Sequence, residues 1–436
     1  MKNSTSKRHI HSETKCLKIG ASLIVIGMIA ACGGGSGSAP PPTFTPTPMP
    51  VPTPSPVASP PPVIAPSPPP PVTSIAASSC TFSAVTEAVN AAIALAQPAI
   101  SVLVPAGDCN WGVQQLTVPA GIKLSGAGQD VTTIRRSGMV PNTTYLIAFD
   151  CSNGRRAAFS GMTLVGNGNG NIQDKGLGLL NGCADFTVTN TKFTHFVFAG
   201  LYVGDHAGQR GVIYKNNFID NYSDTLKNLG YGVAVYGGAA WPTLALGTPD
   251  AVFVEDNYFS GNRHNIASNN GSVYVFRHNT IVGQLPAKDY SMTDAHGLSS
   301  SDRGSRSFEI YENHYSTGFT AVRQRTAIGI RGGDGVIFNN VVTPTINRTV
   351  ELMTEGFPCG TYPGPDQIRS VYIWNNSANP SNGYSLNGID IECPYSIGLN
   401  RDYFLMPKPG YTPYIYPHPL RGPLEEAAIY WPAMTS

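Results

Sequence analysis

Charge is scarce in this chain: 13% of its 436 residues are Asp, Glu, Lys or Arg, and the formal net charge is +1. Past the first residues no basic cluster occurs, which argues against nucleic acid as a partner. There is no CxxC and no Cys/His spacing of the kind that holds zinc. Carboxylates are few, which weighs against chemistry that needs several of them. No apolar run reaches the roughly 20 residues a membrane-spanning helix needs. The run from Ile19 to Ala31 is shorter than that.

That short run has its own meaning. Lys2, Lys7, Arg8, Lys15 and Lys18 precede it and small residues end it, which is the build of a secretory signal. Its end, Ile29-Ala30-Ala31-Cys32-Gly33, resembles the bacterial lipobox. The resemblance implies a signal peptide over 1–31 and a lipidated Cys32; the competing reading is an ordinary signal with a chance cysteine. The lipid anchor is then the only expected contact with a membrane. Gly33 stands where an aspartate commonly marks inner-membrane retention, so the expected location is the cell envelope, at the outer membrane or cell surface. From Gly33 to Pro71 the chain is Gly/Ser-rich and then dense in proline. Such a stretch cannot bury a core. Residues 32–72 therefore read as a tether, semi-stiff at about 3.1 Å per residue and roughly 100 Å long when extended.

Residues 73–436 form the body, rich in Gly, Asn, Val, Ile, Tyr and Phe, a composition that favours strands and turns. Six cysteines follow the anchor: Cys80, Cys109, Cys151, Cys183, Cys359 and Cys393. An even count in an exported chain suggests disulfides. Fifteen pairings are open, and pairing of sequence neighbours is the expectation taken here. One pattern recurs: an apolar residue, two of any kind, often Asn, one of any kind, an apolar residue. Val254…Asn257…Phe259, Phe276…Asn279…Ile281 and Ile310…Asn313…Tyr315 are clear copies. The marker positions are 162, 191, 216, 257, 279, 313, 340 and 376, with Met162 and Thr191 in place of Asn. A second, interleaved series of inward pairs comprises Leu201/Val203, Val233/Val235, His264/Ile266, His296/Leu298, Ile328/Ile330 and Val350/Leu352. Interleaved strands sharing one period mean a solenoid, each repeat one coil that buries its inner side chains only against its neighbours. The recurring Asn then stacks amide on amide from coil to coil. Residues 83–97 carry apolar side chains at helical spacing and read as a helix capping the first coil, within a cap of about 80–100. The aromatic, proline-rich segment from about 403 onward cannot be a central strand; Tyr411, Tyr414 and Tyr416 are expected to pack along the body.

The stretches Val102–Gly107, Leu116–Pro119, Ile122–Gly128 and Thr132–Ile134, following that helix, resemble the opening of the pectate-lyase-like superfamily. The resemblance implies an all-β, right-handed parallel β-helix and a carbohydrate ligand. It does not choose among lyases, hydrolases, epimerases and binding proteins. Motifs of the calcium-dependent pectate lyases are missing, as are the aspartates of polygalacturonase-like hydrolases. Thr293-Asp294-Ala295-His296 only echoes the Asp-Pro-His-Asp of alginate epimerases.

Ionisable groups concentrate between 263 and 331. Strand alternation predicts an outer face carrying Tyr202, Tyr236, Arg263, Asn265 and Arg331, walled by inserts at 219–250 and 282–307. It turns His264 and His296 inward at equivalent positions, as a buried polar pair, unless a local irregularity brings them out. β-Elimination from a uronate needs a cation on the carboxylate, a base and an acid. Arg263 and Arg331 suit the first; His264 or His296, oriented by Asp294, suits the second; Tyr236 suits the third. Tyr202, Asn265, Arg303 and Arg331 are the candidate substrate-binding residues. No cofactor is required, although Asp289, Asp294 and Asp302 lie in one loop and would suit calcium. The expectation is a polysaccharide lyase, monomeric, acting on an acidic glycan. The alternatives are a non-catalytic glycan-binding or structural protein, and a glycoside hydrolase or uronate epimerase.

Overall fold

The computed structural model describes residues 73–97, 100–168, 173–225, 228–283, 291–299, 302–317, 324–377 and 388–421. The stretches expected to be a signal and a tether, with Cys32, lie outside them, as do Asp289 and residues 422–436. Among the described residues no helix is long and apolar enough to cross a membrane.

The body is a right-handed parallel β-helix. Its described strands form three sheets of 12, 10 and 9 strands. One coil shows the plan: Phe186–Thr189 lies in the first sheet, Lys192–Thr194 in the third and Ala199–Gly204 in the second. Gly211–Tyr214 then returns to the first sheet, parallel to Phe186–Thr189 with Val188 opposite Ile213. Every paired strand runs parallel to its counterpart one coil away, so the side chains of equivalent positions stack along the axis. Inside, Phe193, Phe218 and Phe259 stack ring on ring at successive centroid distances of 4.9 Å.

The recurring asparagines build the corner between the first and third sheets. Asn216, Asn257, Asn279, Asn313, Asn340 and Asn376 form a ladder. Each amide donates to the next side-chain oxygen at 2.8–3.1 Å. That same oxygen accepts the backbone N–H of the preceding asparagine. The residue before each rung is left-handed, from Lys215 to Asn375, with φ of 51–55°. A non-glycine residue there costs about 1–2 kcal/mol; the rungs offset it by satisfying backbone groups that a sharp corner leaves without strand partners.

The helix runs Phe82–Leu95 and lays Val85, Ala88, Val89 and Ala92 on the first coil. Short strand Thr73–Ala76 precedes it, pairing with Ile100–Val104, an element the sequence pattern did not suggest. The described cysteines pair as sequence neighbours: Cys80–Cys109, Cys151–Cys183 and Cys359–Cys393, with Cα separations of 5.8, 5.0 and 5.4 Å. The C-terminal segment straps the outside of the first sheet, where Tyr411, Tyr414 and Leu420 pack with Phe253, Tyr311 and Phe338. Arg277 anchors it. This fully buried guanidinium donates to the carbonyls of Tyr414 and Ile415 at 2.7 and 2.9 Å and pairs with Glu255 at 2.6 Å. Tyr416 stacks on His278 at 3.6 Å. These tyrosines pack on the body, and Arg277 and His278 serve the strap.

Candidate functional site

The second sheet carries most of the sequence-predicted groups. Its middle strands are Tyr231–Tyr236, His264–Asn269, Ser291–Ala295, Gln324–Ile330 and Ile346–Leu352. They do not alternate strictly. In Tyr145–Asp150, Leu146 and Ile147 both enter the core, whereas Tyr145 and Ala148 both belong to an outer cluster. The same doubled inward step recurs one coil after another: Tyr231 and Ala234 are outside while Gly232 and Val233 are inside. His264 pairs with Tyr231 in register and stacks on its ring at 5.8 Å.

This irregularity corrects two expectations. His264 faces outward. Asn265 faces inward, where its amide donates to the Met292 carbonyl and accepts from Asn262. Nor are His264 and His296 at equivalent positions. The inner pair of that coil is Thr293/Ala295, not His296/Leu298: Thr293 aligns with Ile266 and Ile328, and its hydroxyl meets that of buried Tyr315 at 2.8 Å. A polar threonine and a small alanine hid this pair from a search for large apolar residues. His296 follows the strand, with its backbone N–H on Ser268 O, and aligns with Arg331, whose N–H reaches Ala295 O. His264, His296 and Arg331 therefore share the outer face and converge on Asp294.

Asp294 is 1% exposed. Arg331 grips it with both arms of its fork, Nε to Oδ1 at 3.1 Å and Nη2 to Oδ2 at 2.6 Å. His296 Nε2 lies 2.9 Å and His264 Nε2 4.0 Å from the same carboxylate. Burial alone would raise the Asp294 carboxyl, but the Arg331 guanidinium above all outweighs it and holds it well below the usual range. Burial works against the charge of Arg331 too, and Asp294 and Glu355 more than compensate. Burial and then Arg263 hold His264 well below the ordinary imidazole range. Neutral His264 donates from Nδ1 to Ser291 O at 2.5 Å.

Glu355, which no sequence motif flagged, completes the group. It accepts from Arg331 Nη1 at 2.5 Å and from Gly297 N at 2.9 Å, and lies 3.6 Å from His296 Nδ1. Its signal was spatial: a carboxylate just past a strand of the next coil. Tyr231 was missed as well, although it pairs in register with His264. The side chains of His296, Arg331 and Glu355 keep 16, 18 and 27% of their surface exposed, so this is where the cluster meets solvent.

The other candidates take different positions. Tyr236 is on the outer face, half-buried, in the row of Asn269 and thus two strands from His296, about 10 Å at ~4.8 Å per strand. Burial raises its hydroxyl far above the usual range. Arg263 is half-buried, Nη1 3.5 Å from the Tyr231 hydroxyl. Tyr202 lies outside as expected but is 5% exposed, its hydroxyl given to Asp205 at 3.0 Å. It belongs to an aromatic pad with Tyr145, Phe198 and Tyr236. Lys175 sits in this pad, 4.4 Å from the Phe198 ring and 5.2 Å from that of Tyr145; burial pulls its amine down to about 8. Arg303 stands apart from the cluster, forked onto Asp366 at 2.7 and 3.3 Å and stacked on Trp241 at 4.0 Å. Among the described residues no group of three His, Cys, Asp or Glu side chains is arranged to hold a metal ion. Asp294 is committed to Arg331.

No family description matches the chain, and no curated protein does. Solved structures do. The catalytic unit of a GH87 α-1,3-glucanase from Streptomyces thermodiastaticus is 15% identical with a TM-score of 0.43, over 69% of this chain and 59% of that one. An alginate lyase from Paenibacillus is 13% identical with a TM-score of 0.35, over 70% and 99%. The A-module of a mannuronan C-5 epimerase from Azotobacter vinelandii is 12% identical with a TM-score of 0.34, over 71% and 92%. The chain spans less than two thirds of some of these proteins, 55% of one from Geobacillus virus E2 and 59% of the glucanase unit. At such identities the likeness concerns the fold alone.

Proposed function

We propose that the protein is a polysaccharide lyase that cleaves an acidic glycan by β-elimination on the outer face of the second sheet. The observation that carries this reading is His296: an imidazole that keeps 16% of its surface exposed, its Nε2 2.9 Å from a buried, ionised Asp294, with a guanidinium on the same carboxylate. An orienting carboxylate behind a half-open histidine is the arrangement of a general base. In the reaction His296 removes the proton next to the uronate carboxylate, a carbon–carbon double bond forms, and the bond to the leaving oxygen breaks. Solvent supplies the proton to that oxygen, because Tyr236, the acid expected from the sequence, stands two strands away from His296. Arg263 and Arg331 draw the carboxylate's charge and make the proton acidic. A hydrolase is less well served, because it needs two carboxyls flanking the bond and Asp294 is closed off by Arg331.

A second reading, glycan binding without turnover, is favoured by one observation: the Arg331 fork is already filled by Asp294 and Glu355. One assay separates the two. The body from Thr73 onward is incubated with acidic polysaccharides and followed by ultraviolet absorbance of unsaturated uronates. The expected result is a rise on one glycan class, reduced at least ~100-fold in His296→Ala and strongly in Arg263→Ala, with folding retained. Full activity in both variants removes this site. Glycan affinity with no absorbance change and no new reducing ends leaves the binding protein.

A further inference from the structure

Glu355 is the open carboxylate of the His296 cluster, and it is held as a ligand's carboxylate would be. It lies just past the strand Ile346–Leu352. Its side chain is 27% exposed, against 1% for Asp294. Arg331 Nη1 donates to Oε1 at 2.5 Å and the Gly297 N–H to Oε2 at 2.9 Å. His296 Nδ1 lies 3.6 Å from Oε2. A guanidinium arm beside a fixed backbone N–H is a cradle for a carboxylate. Both donors come from other coils, just past Ser291–Ala295 and Gln324–Ile330, so the cradle does not depend on Glu355 being in it.

Arg331 does not need Glu355 for its charge. Asp294 already takes Nε and Nη2 and balances the guanidinium. A second carboxylate on the same arginine is negative charge in excess. Ion pairs open to water contribute little, so rotating the Glu355 side chain outward costs little. Withdrawing Asp294 instead would strand a buried cation. Gly297 suits the arrangement, because a Cβ there would stand 2.8 Å from Glu355 Cβ and 2.5 Å from Arg331 O and close the cradle.

We propose that Glu355 is an internal stand-in for a substrate carboxylate: it fills the uronate subsite of the resting protein, and a uronate of the glycan displaces it and takes Arg331 Nη1 and the Gly297 N–H. The exchange puts one carboxylate in place of another, so the charge on Arg331 stays balanced. It brings the carbon next to the uronate carboxyl close to His296 Nδ1, the ring nitrogen on the Glu355 side; Nε2 is on the Asp294 side. Nδ1 is then the atom that takes the proton. The subsite requires only an acidic glycan, whereas naming Nδ1 as the base rests on the lyase reading above.

The test is a ligand-observed NMR titration of the full chain with methyl glucuronide and, as the uncharged control, methyl glucoside, at constant ionic strength. Glu355→Ala is expected to bind the glucuronide at least about tenfold more tightly than the unaltered protein does, the worth of one hydrogen bond to a charged group. Its affinity for the glucoside is expected to be unchanged. Glu355→Gln keeps the size of the side chain and drops its charge. It is expected to shift the glucuronide in the same direction by less, and it decides the matter where Glu355→Ala fails to fold. Asp302→Asn removes a negative charge from the neighbouring loop without touching the cradle, and screening is expected to leave it with little gain. No gain for the glucuronide in the folded variants overturns the proposal. So does an equal gain for the glucoside, or an equal gain in Asp302→Asn. A gain for the glucuronide with no unsaturated product from any acidic polysaccharide keeps the subsite and discards the lyase.

Discussion

A carboxylate buried as deeply as Asp294 persists only when paired, and breaking such a pair from one side costs about 3–5 kcal/mol. The two histidines beside it divide the work by exposure. His296 reaches solvent, while His264 is 2% exposed, stacked on Tyr231 and bonded to Ser291 O. His264 is therefore a neutral spacer, and its titration enters stability. Its folded pKa lies well below its unfolded value, near ~6.5. Between the two values the unfolded chain binds a proton that the folded chain refuses. Stability is full above pH ~6.5 and falls as pH drops below it. Melting temperatures from pH 8 to pH 5 (roughly the span around that value) are expected to fall less steeply in His264→Gln than in the unaltered protein. Gln keeps a donor for Ser291 O. Parallel slopes would show that another group takes up the proton.

The asparagine ladder is the element whose energetics are easiest to dissect. In mid-ladder, Asn279 donates to Val254 O and Asn313 Oδ1 and accepts from the backbone and side chain of Asn257. At the end of the described ladder, Asn376 accepts from Asn340 twice but donates only to backbone carbonyls, Ile337 O and Trp374 O. Its residue is half-buried, so water can replace what is lost. Asn279→Ala is expected to cost about 3 kcal/mol and Asn376→Ala about 1, each orphaned buried group costing ~1–3. Equal losses in denaturant titrations would mean the rungs do not act through the stack. This corner was legible in the sequence because a single residue type marks it in almost every coil. The second-sheet kink was not. It is set by backbone geometry common to Leu146/Ile147 and Gly232/Val233, and no residue type announces it, so strict alternation put His264 and Asn265 on the wrong faces. Glu355 was invisible for a different reason: it joins the cluster through coil stacking, 58 residues from Gly297, and lies in no repeat of its own.

At the scale of the molecule, the solenoid architecture followed from two interleaved series, whereas the candidate site depends on which charged side chains in and just past the strands of the second sheet fall on its outer face. A solenoid also has ends, and each end offers unpaired strand edges and a bare core layer. The helix Phe82–Leu95 answers the second problem. It buries Val85, Ala88, Val89 and Ala92, with Phe82 edge-on to Trp111 at 5.5 Å and Trp111 Nε1 donating to Cys80 O at 2.9 Å. The Cys80–Cys109 disulfide ties this cap to the first coil. Burying each valine is worth about 1.5–3 kcal/mol, yet the cap matters more for what it excludes. A chain begun at Ile100 would expose Val102, Val104, Leu116 and Val118 together with the freed edge of Ile100–Val104, which Thr73–Ala76 covers in the intact body. Such an end is a template for the same end of a second copy. Light scattering after gel filtration is expected to find the truncated chain forming concentration-dependent oligomers while the body from Thr73 stays monomeric. A truncated chain that remained monomeric, with an unchanged melting temperature, would mean that the first coil closes itself and the helix is ornamental to the fold.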